Sequence, residues 1–216
     1  MKRLLLAFGL LVLPTRLWAA DLASEVEARY AKALSWGADF SQSTHIEVLA
    51  QDLTKLAHID VQRPGQLRIE YLSDPKKIYV SDGETLWVYK NADTTAWEFD
   101  EPSKVLSREA LSFLSGFQNL TELFDVVPGL KEAEGFKMIQ DKTLKQLALV
   151  PKAEESGILK LTLGVDAKTR TVKEAVLFNA SGNVTHYVFS KIQFDQPAKG
   201  VIFSLPTEPK RTIIKK

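Results

Sequence analysis

From Ala57 onward the chain alternates with a period of two. Ala57, Ile59 and Val61 are apolar while His58, Asp60 and Gln62 are polar, and after Arg63-Pro64-Gly65 the period resumes as Leu67, Ile69 and Tyr71 against Arg68 and Glu70. Such alternation predicts half-buried strands, and Pro64-Gly65 is turn chemistry, so the two runs are expected to be adjacent and antiparallel. The stretch from Lys77 to Tyr89 repeats the scheme as two short apolar runs around Asp82-Gly83, a strong hairpin signal. Both faces of Leu86 to Tyr89 are apolar, which predicts a strand covered on both sides or one that turns a face toward a cavity. Trp97 and Phe99 suggest another strand, ended by Pro102.

Before these strands the period is helical. Leu22, Val26, Tyr30 and Ala33 recur among charged residues from Asp21 to Ser35, predicting one amphipathic helix, with Trp36 and Phe40 following its end. Further on, Ser107 is placed to cap a helix carrying Leu111, Phe113 and Leu114 that ends near Gly116. Asn119 is placed to start another with Leu120, Leu123 and Phe124. Strands then return over 144–150, 158–165, 171–178 and 184–194, the last pair joined by Ser181-Gly182-Asn183, and Phe203, Leu205 and Pro206 close the pattern. The elements predict a mainly β fold of the α+β type. A meander of roughly ten antiparallel strands tends to curl into a barrel or half-open, incomplete barrel. Helices that interrupt it are expected to cover its open side, and a concave sheet under an apolar lid encloses a greasy pocket.

The first residues belong to a different pattern. Lys2 and Arg3 precede an apolar run from Leu4 to Leu13, then Pro14 and a small-residue end at Ala19-Ala20, which predicts a secretory signal peptide over 1–19. Cleavage after Ala20 is the alternative. The run is too interrupted for a membrane-spanning helix. Removal of 1–19 leaves 197 residues, 25 basic against 27 acidic, and one domain is expected over 20–216. Only the tail (Lys210, Arg211, Lys215, Lys216) is basic, and it is expected to be a frayed, solvated terminus. Nothing in this balance suggests a nucleic-acid partner. The chain has no cysteine, so neither disulfides nor thiolate metal sites support it, and it cannot itself be acylated as a bacterial lipoprotein.

Chemistry is sparse. There is no G-x-S-x-G elbow, H-E-x-x-H helix, phosphate loop or dinucleotide fingerprint, so no catalytic residue, cofactor or metal is expected. His58, Asp60 and Gln62 share a strand face that predicts a solvated surface rather than a metal site.

Several segments, in order, resemble the LolA family of periplasmic lipoprotein carriers. Trp36-Gly-Ala-Asp-Phe40-Ser-Gln42 resembles the family's aromatic entry to its first strand. The segment from Arg63 to Tyr71 resembles its strand turn, and Val80-Ser-Asp-Gly-Glu-Thr-Leu-Trp-Val-Tyr89 its "SDGKTLW.Y" hairpin, the most specific match. Ala110 to Gly116 and Phe203-Ser-Leu-Pro206 fit the later pattern, whereas Leu67 and Ile69 stand where the family commonly has Phe and Trp.

The resemblance implies a half-open barrel with a helical lid, a soluble and monomeric periplasmic protein, and acyl chains of lipidated proteins as cargo. It implies an inner-membrane lipoprotein-releasing ABC transporter as donor and an outer-membrane lipoprotein as acceptor. It also implies that Arg63 is a latch, because the matching arginine bonds backbone carbonyls of the lid helices, for which a surface cation at a strand end is the alternative. The acyl-chain cavity is expected to be lined by Tyr30, Trp36, Phe40, Leu67, Ile69, Tyr71, Trp87, Tyr89, Leu111, Phe113 and Leu114, for which ordinary core is the alternative. A lipid- or lipoprotein-sensing module of the same fold and a carrier of a different envelope lipid are the competing functions.

Overall fold

The computed structural model describes residues 16–100, 116–117, 119–127, 139–154, 157–196 and 200–216, with side chains from Asp21 onward. Helix α1 spans Arg16–Ala31. It ends earlier than the sequence pattern suggests because Ser35 already begins the first strand. Its buried stripe is Ala23, Val26 and Tyr30, spaced to fall on one helical face.

Strands β1 (Ser35–Ile46) and β2 (Gln51–Gln62) form a long hairpin, paired from Ser35↔Gln62 to Ile46↔Gln51. They are joined by a single 3-10 turn, Glu47–Leu49, and by Ala50 in the left-handed region. Strands β3 (Gln66–Tyr71), β4 (Lys77–Ser81), β5 (Leu86–Lys90) and β6 (Thr95–Phe99) continue as an antiparallel meander. The two predicted turns pack on each other. A Cβ added at Gly65 would lie 3.0 Å from the Gly83 Cα, and both glycines have positive φ, so each turn requires its glycine for conformation and for approach. Asp82 Oδ1 accepts from the backbone N–H groups of Glu84 and Thr85 and rigidifies the second turn.

A short helix, α2 (Leu120–Leu123), leads into β7 (Phe124–Val127). Strands β8 (Lys145–Pro151), β9 (Ile158–Val165), β10 (Val172–Asn179) and β11 (Val184–Phe194) form a second meander. The two halves join where β11 pairs with β1. The result is one curled, unclosed twelve-stranded sheet in the order β12-β6-β5-β4-β3-β2-β1-β11-β10-β9-β8-β7.

The last strand corrects the expectation for the basic tail. β12 (Thr212–Lys215) is not a frayed end but adds to β6 in parallel. Lys215 reaches Glu98 at 3.0 Å, and the Arg211 guanidinium stacks 4.6 Å from the centre of the Tyr89 ring. The preceding segment crosses the convex face, where Leu205 packs against Ile78, Val80, Tyr89 and Ala96.

Pairing register assigns the two faces. Trp36, Ala38 and Phe40 lie beside Val61, Ile59 and Ala57, and these beside Leu67, Ile69 and Tyr71, all inward. Leu147, Leu149, Leu161, Leu163 and Ala175 continue that face on the other half of the sheet, and α1 lies over it.

Candidate functional site

The concave wall is both the main core and the candidate site. Its centre is a run of touching aromatic rings. Tyr30 of α1 meets Trp36 edge-on at 5.5 Å and Phe117 at 4.9 Å, Phe117 meets Phe189, and Phe189 stacks on Tyr187. Phe40 touches Tyr187, Phe189 and Tyr71, and Tyr71 touches Tyr79, so the run extends from under α1 to the fourth strand. Edge-to-face contacts of this kind suit ring quadrupoles and leave a surface that alkyl groups can also cover.

The phenols on this wall are neutral. Burial raises the Tyr30 hydroxyl far above the usual phenol range, and its oxygen accepts the Val172 backbone N–H at 3.2 Å. Burial, together with neighbouring Tyr187 and Tyr79, raises Tyr71, which donates to Gln42 Oε1 at 2.6 Å. Burial alone pushes Tyr187 up to about 12. Apolar and phenolic side chains that face one another in this way offer burial and shape to a ligand.

Arg63 sits where β2 turns into β3. Its backbone N–H donates to Leu34 O at 2.9 Å and its Nη2 donates to Tyr30 O at 3.3 Å. One side chain therefore ties the sheet to the C-terminal end of the helix that covers the wall, sharing the Tyr30 carbonyl with the Ala33 N–H, which donates to it at 3.2 Å.

The family model for the outer membrane lipoprotein carrier protein LolA matches residues 31–206. The chain belongs to the LolA family. An outer-membrane lipoprotein carrier protein of Methylobacillus flagellatus is 30% identical over 136 residues, 63% of this chain and 60% of that protein. One from Nitrosomonas europaea is 28% identical over 193 residues, 88% of this chain and 85% of that protein. Among solved structures, lipoprotein LppX of Mycobacterium tuberculosis has the same fold at 12% identity and a TM-score of 0.50, over 87% of this chain and 98% of that one.

Within this LolA-family sheet, Tyr30, Trp36, Phe40, Leu67 and Ile69 are buried together on the concave wall and Tyr71 is half-buried at its edge. Trp87 and Tyr89 are a correction. They share a face, but it is the convex one. Val80 pairs with Trp87 and Ile78 with Tyr89, out of step with the inward series Ile69↔Tyr79↔Val88↔Trp97. Trp87 Nε1 instead donates to Glu98 at 2.8 Å, and Tyr89 is buried beside Leu205, its hydroxyl accepting from Arg68 at 3.3 Å. Leu111, Phe113 and Leu114 lie outside the described residues. Tyr79, Phe117, Tyr187, Phe189 and Phe194 were not singled out by the sequence. Tyr187 and Phe189 alternate within a predicted strand, and only the pairing with β1 reveals that they face inward.

The convex face carries charge instead. His58 Nδ1 lies 2.6 Å from Asp39 and Nε2 lies 3.2 Å from Asp60, and Lys191 Nζ lies 2.9 Å from Asp39. A bulge in β11, with Lys191 at φ 48°, presents that lysine. Hydrogen bonds to Asp60 and Asp39 raise the imidazole to about 9, outweighing the opposing effect of burial, so His58 is an imidazolium that donates from both nitrogens. Bonds from Lys191 first and His58 second hold the Asp39 carboxyl below the usual range. A cleft of about 560 Å³ opens here beneath Gly200–Pro206. Its acids and bases neutralise one another across strands, which is a structural use of charge.

Proposed function

We propose that this chain is a periplasmic carrier that shields the acyl chains of lipoproteins released from the inner membrane and delivers them to the outer membrane. The observation that carries this reading is the continuous aromatic wall under α1, tied to the helix end through Arg63. An acyl chain of about 15 methylenes resists transfer into water by on the order of 12 kcal/mol, at about 0.8 kcal/mol per methylene. Crossing an aqueous compartment therefore needs a container whose walls replace the membrane interior.

The wall also suits release. Its rings pack against each other, so cargo must displace Tyr30, Trp36 and Phe117 contacts that re-form when it leaves. Holding is thus opposed by closure, which keeps the grip weaker than full transfer from water would make it. On this reading the protein binds and does not catalyse. An inner-membrane lipoprotein-releasing ABC transporter is the donor, an outer-membrane lipoprotein is the acceptor, and the working form is a monomer.

The test is detergent-free gel filtration of the processed chain, Ala20 to Lys216, mixed with one triacylated lipoprotein or with its unacylated Cys→Ser form. The expected result is a soluble one-to-one complex with the acylated form alone. Aggregation of the acylated protein despite the carrier would refute the proposal.

A further inference from the structure

Four buried side-chain polar atoms have no hydrogen-bond partner among the described residues: Trp36 Nε1, Gln146 Oε1, Thr162 Oγ1 and Arg211 Nε. Gln146 and Thr162 pair in register with Gly164 and Ala148 on the convex side, and Arg211 belongs to the convex strap. Trp36 alone lies on the concave wall, 6% exposed, between Tyr30 and Phe117. Buried donors nearly always find an acceptor, so an orphan donor on the candidate wall calls for an explanation.

Resting on the acyl-carrier reading above, we propose that the Trp36 indole N–H anchors the ester carbonyl joining an acyl chain to its head group, so that the wall selects ester-bearing lipids over plain hydrocarbon.

The chemistry narrows the ligand in three steps. An indole N–H donates and never accepts, so its partner is an acceptor. The surroundings are aromatic rings and aliphatic side chains, where an unpaired charge is costly, so that acceptor is neutral. Phe40 lies four residues along the same strand, about 13 Å at the usual rise, so a carbonyl held at Trp36 directs its alkyl chain along Phe40 and Tyr71.

The N–H faces the Gly116 turn. A Cβ built on Gly116 would stand 2.5 Å from Trp36 Nε1, so the backbone passes close over the donor without offering it an acceptor. Phe117, the next residue, packs on Tyr30 and Trp36. In the loaded protein the ligand carbonyl takes the place of this turn.

The experiment compares ligands that differ only in the carbonyl. Binding of a lysine-tailed lipopeptide with a dipalmitoyl-glyceryl cysteine is measured by calorimetry against its dialkyl ether twin, for the processed wild type and Trp36→Phe. Wild type is expected to prefer the ester about threefold to tenfold, the worth of one net hydrogen bond, and Trp36→Phe to bind both alike. A wild-type ratio of one, or the same ester preference in Trp36→Phe, would overturn the assignment. Failure of wild type to bind either ligand would instead overturn the acyl-carrier reading beneath it.

A second readout needs no stable variant. With indole-15N labelling, the Trp36 N–H resonance of the wild type is expected to move downfield with the ester ligand and not with the ether. Equal shifts would count against the anchor. Dipalmitoyl phosphatidylglycerol and its ether twin, run in parallel, distinguish the source of the carbonyl. An ester preference confined to the lipopeptide assigns lipid-modified cysteine, and one confined to the phospholipid assigns membrane lipid.

Discussion

At the scale of single residues, His58 joins β1 to β2 by charge, donating to Asp39 on one strand and Asp60 on its own. Its folded-state value, raised to about 9 from an ordinary 6.5, means that the folded protein binds the proton more tightly than the unfolded chain. The stabilisation is fully present below the ordinary value and is lost as pH rises through about 9. Urea midpoints of the wild type should therefore fall between roughly pH 6.5 and 9, and His58→Gln should flatten that fall. An unchanged slope in the variant would show that the pair does not couple to folding. Arg63 makes the second residue-scale prediction. Arg63→Leu removes one hydrogen bond to the end of α1, worth about 1 kcal/mol and therefore about fivefold in the balance between covered and uncovered wall. The variant should still load acylated cargo but release it to acceptor membranes about fivefold more slowly. Release at the wild-type rate would remove Arg63 from the opening step.

At the scale of elements, what was legible followed local chemistry. The stripe on α1 and the Pro64-Gly65 and Asp82-Gly83 turns announce themselves, because helical spacing and left-handed turns constrain residue type directly. The second half of β1, Ser41-Gln-Ser-Thr-His-Ile46, and the first residues of β2 did not. They are mostly polar, their leucines Leu53 and Leu56 are exposed, and they form strands because twelve rungs of hairpin pairing extend beyond the core. β12 was missed for a related reason: four exposed residues cannot show a period, and its pairing with β6 is long-range. β5 is apolar on both sides, so its inward face depends on register with β4, and Trp87 and Tyr89 fall outward. The packing itself predicts a contrast between strands. Leu163→Ala on β9, fully buried in the wall, should lower unfolding free energy by about 2–5 kcal/mol in urea titrations. Leu56→Ala on β2, 54% exposed, should change it by less than about 0.5 kcal/mol. Equal effects would mean that the concave side is not the main core.

At the scale of the whole molecule, the sheet separates two kinds of surface. Mutually satisfied charges around His58 and an apolar cluster under Leu205 line the convex face beneath the C-terminal strap, and rings and aliphatic groups line the concave face beneath α1. On the proposed function the second surface is the working one. The order of strands, with β11 returning to β1, brings Tyr187 and Phe189 beside Phe40, and no local pattern encodes that neighbourhood. The most direct test is photo-crosslinking of a tripalmitoylated lipopeptide to the processed chain with p-benzoylphenylalanine placed at Tyr71, on the wall, or at Trp87, on the opposite face. Acyl-chain crosslinks from position 71 and none from position 87 are the predicted result. Crosslinks from 87 alone, or from neither, would contradict the assignment of the concave wall as the acyl-chain site.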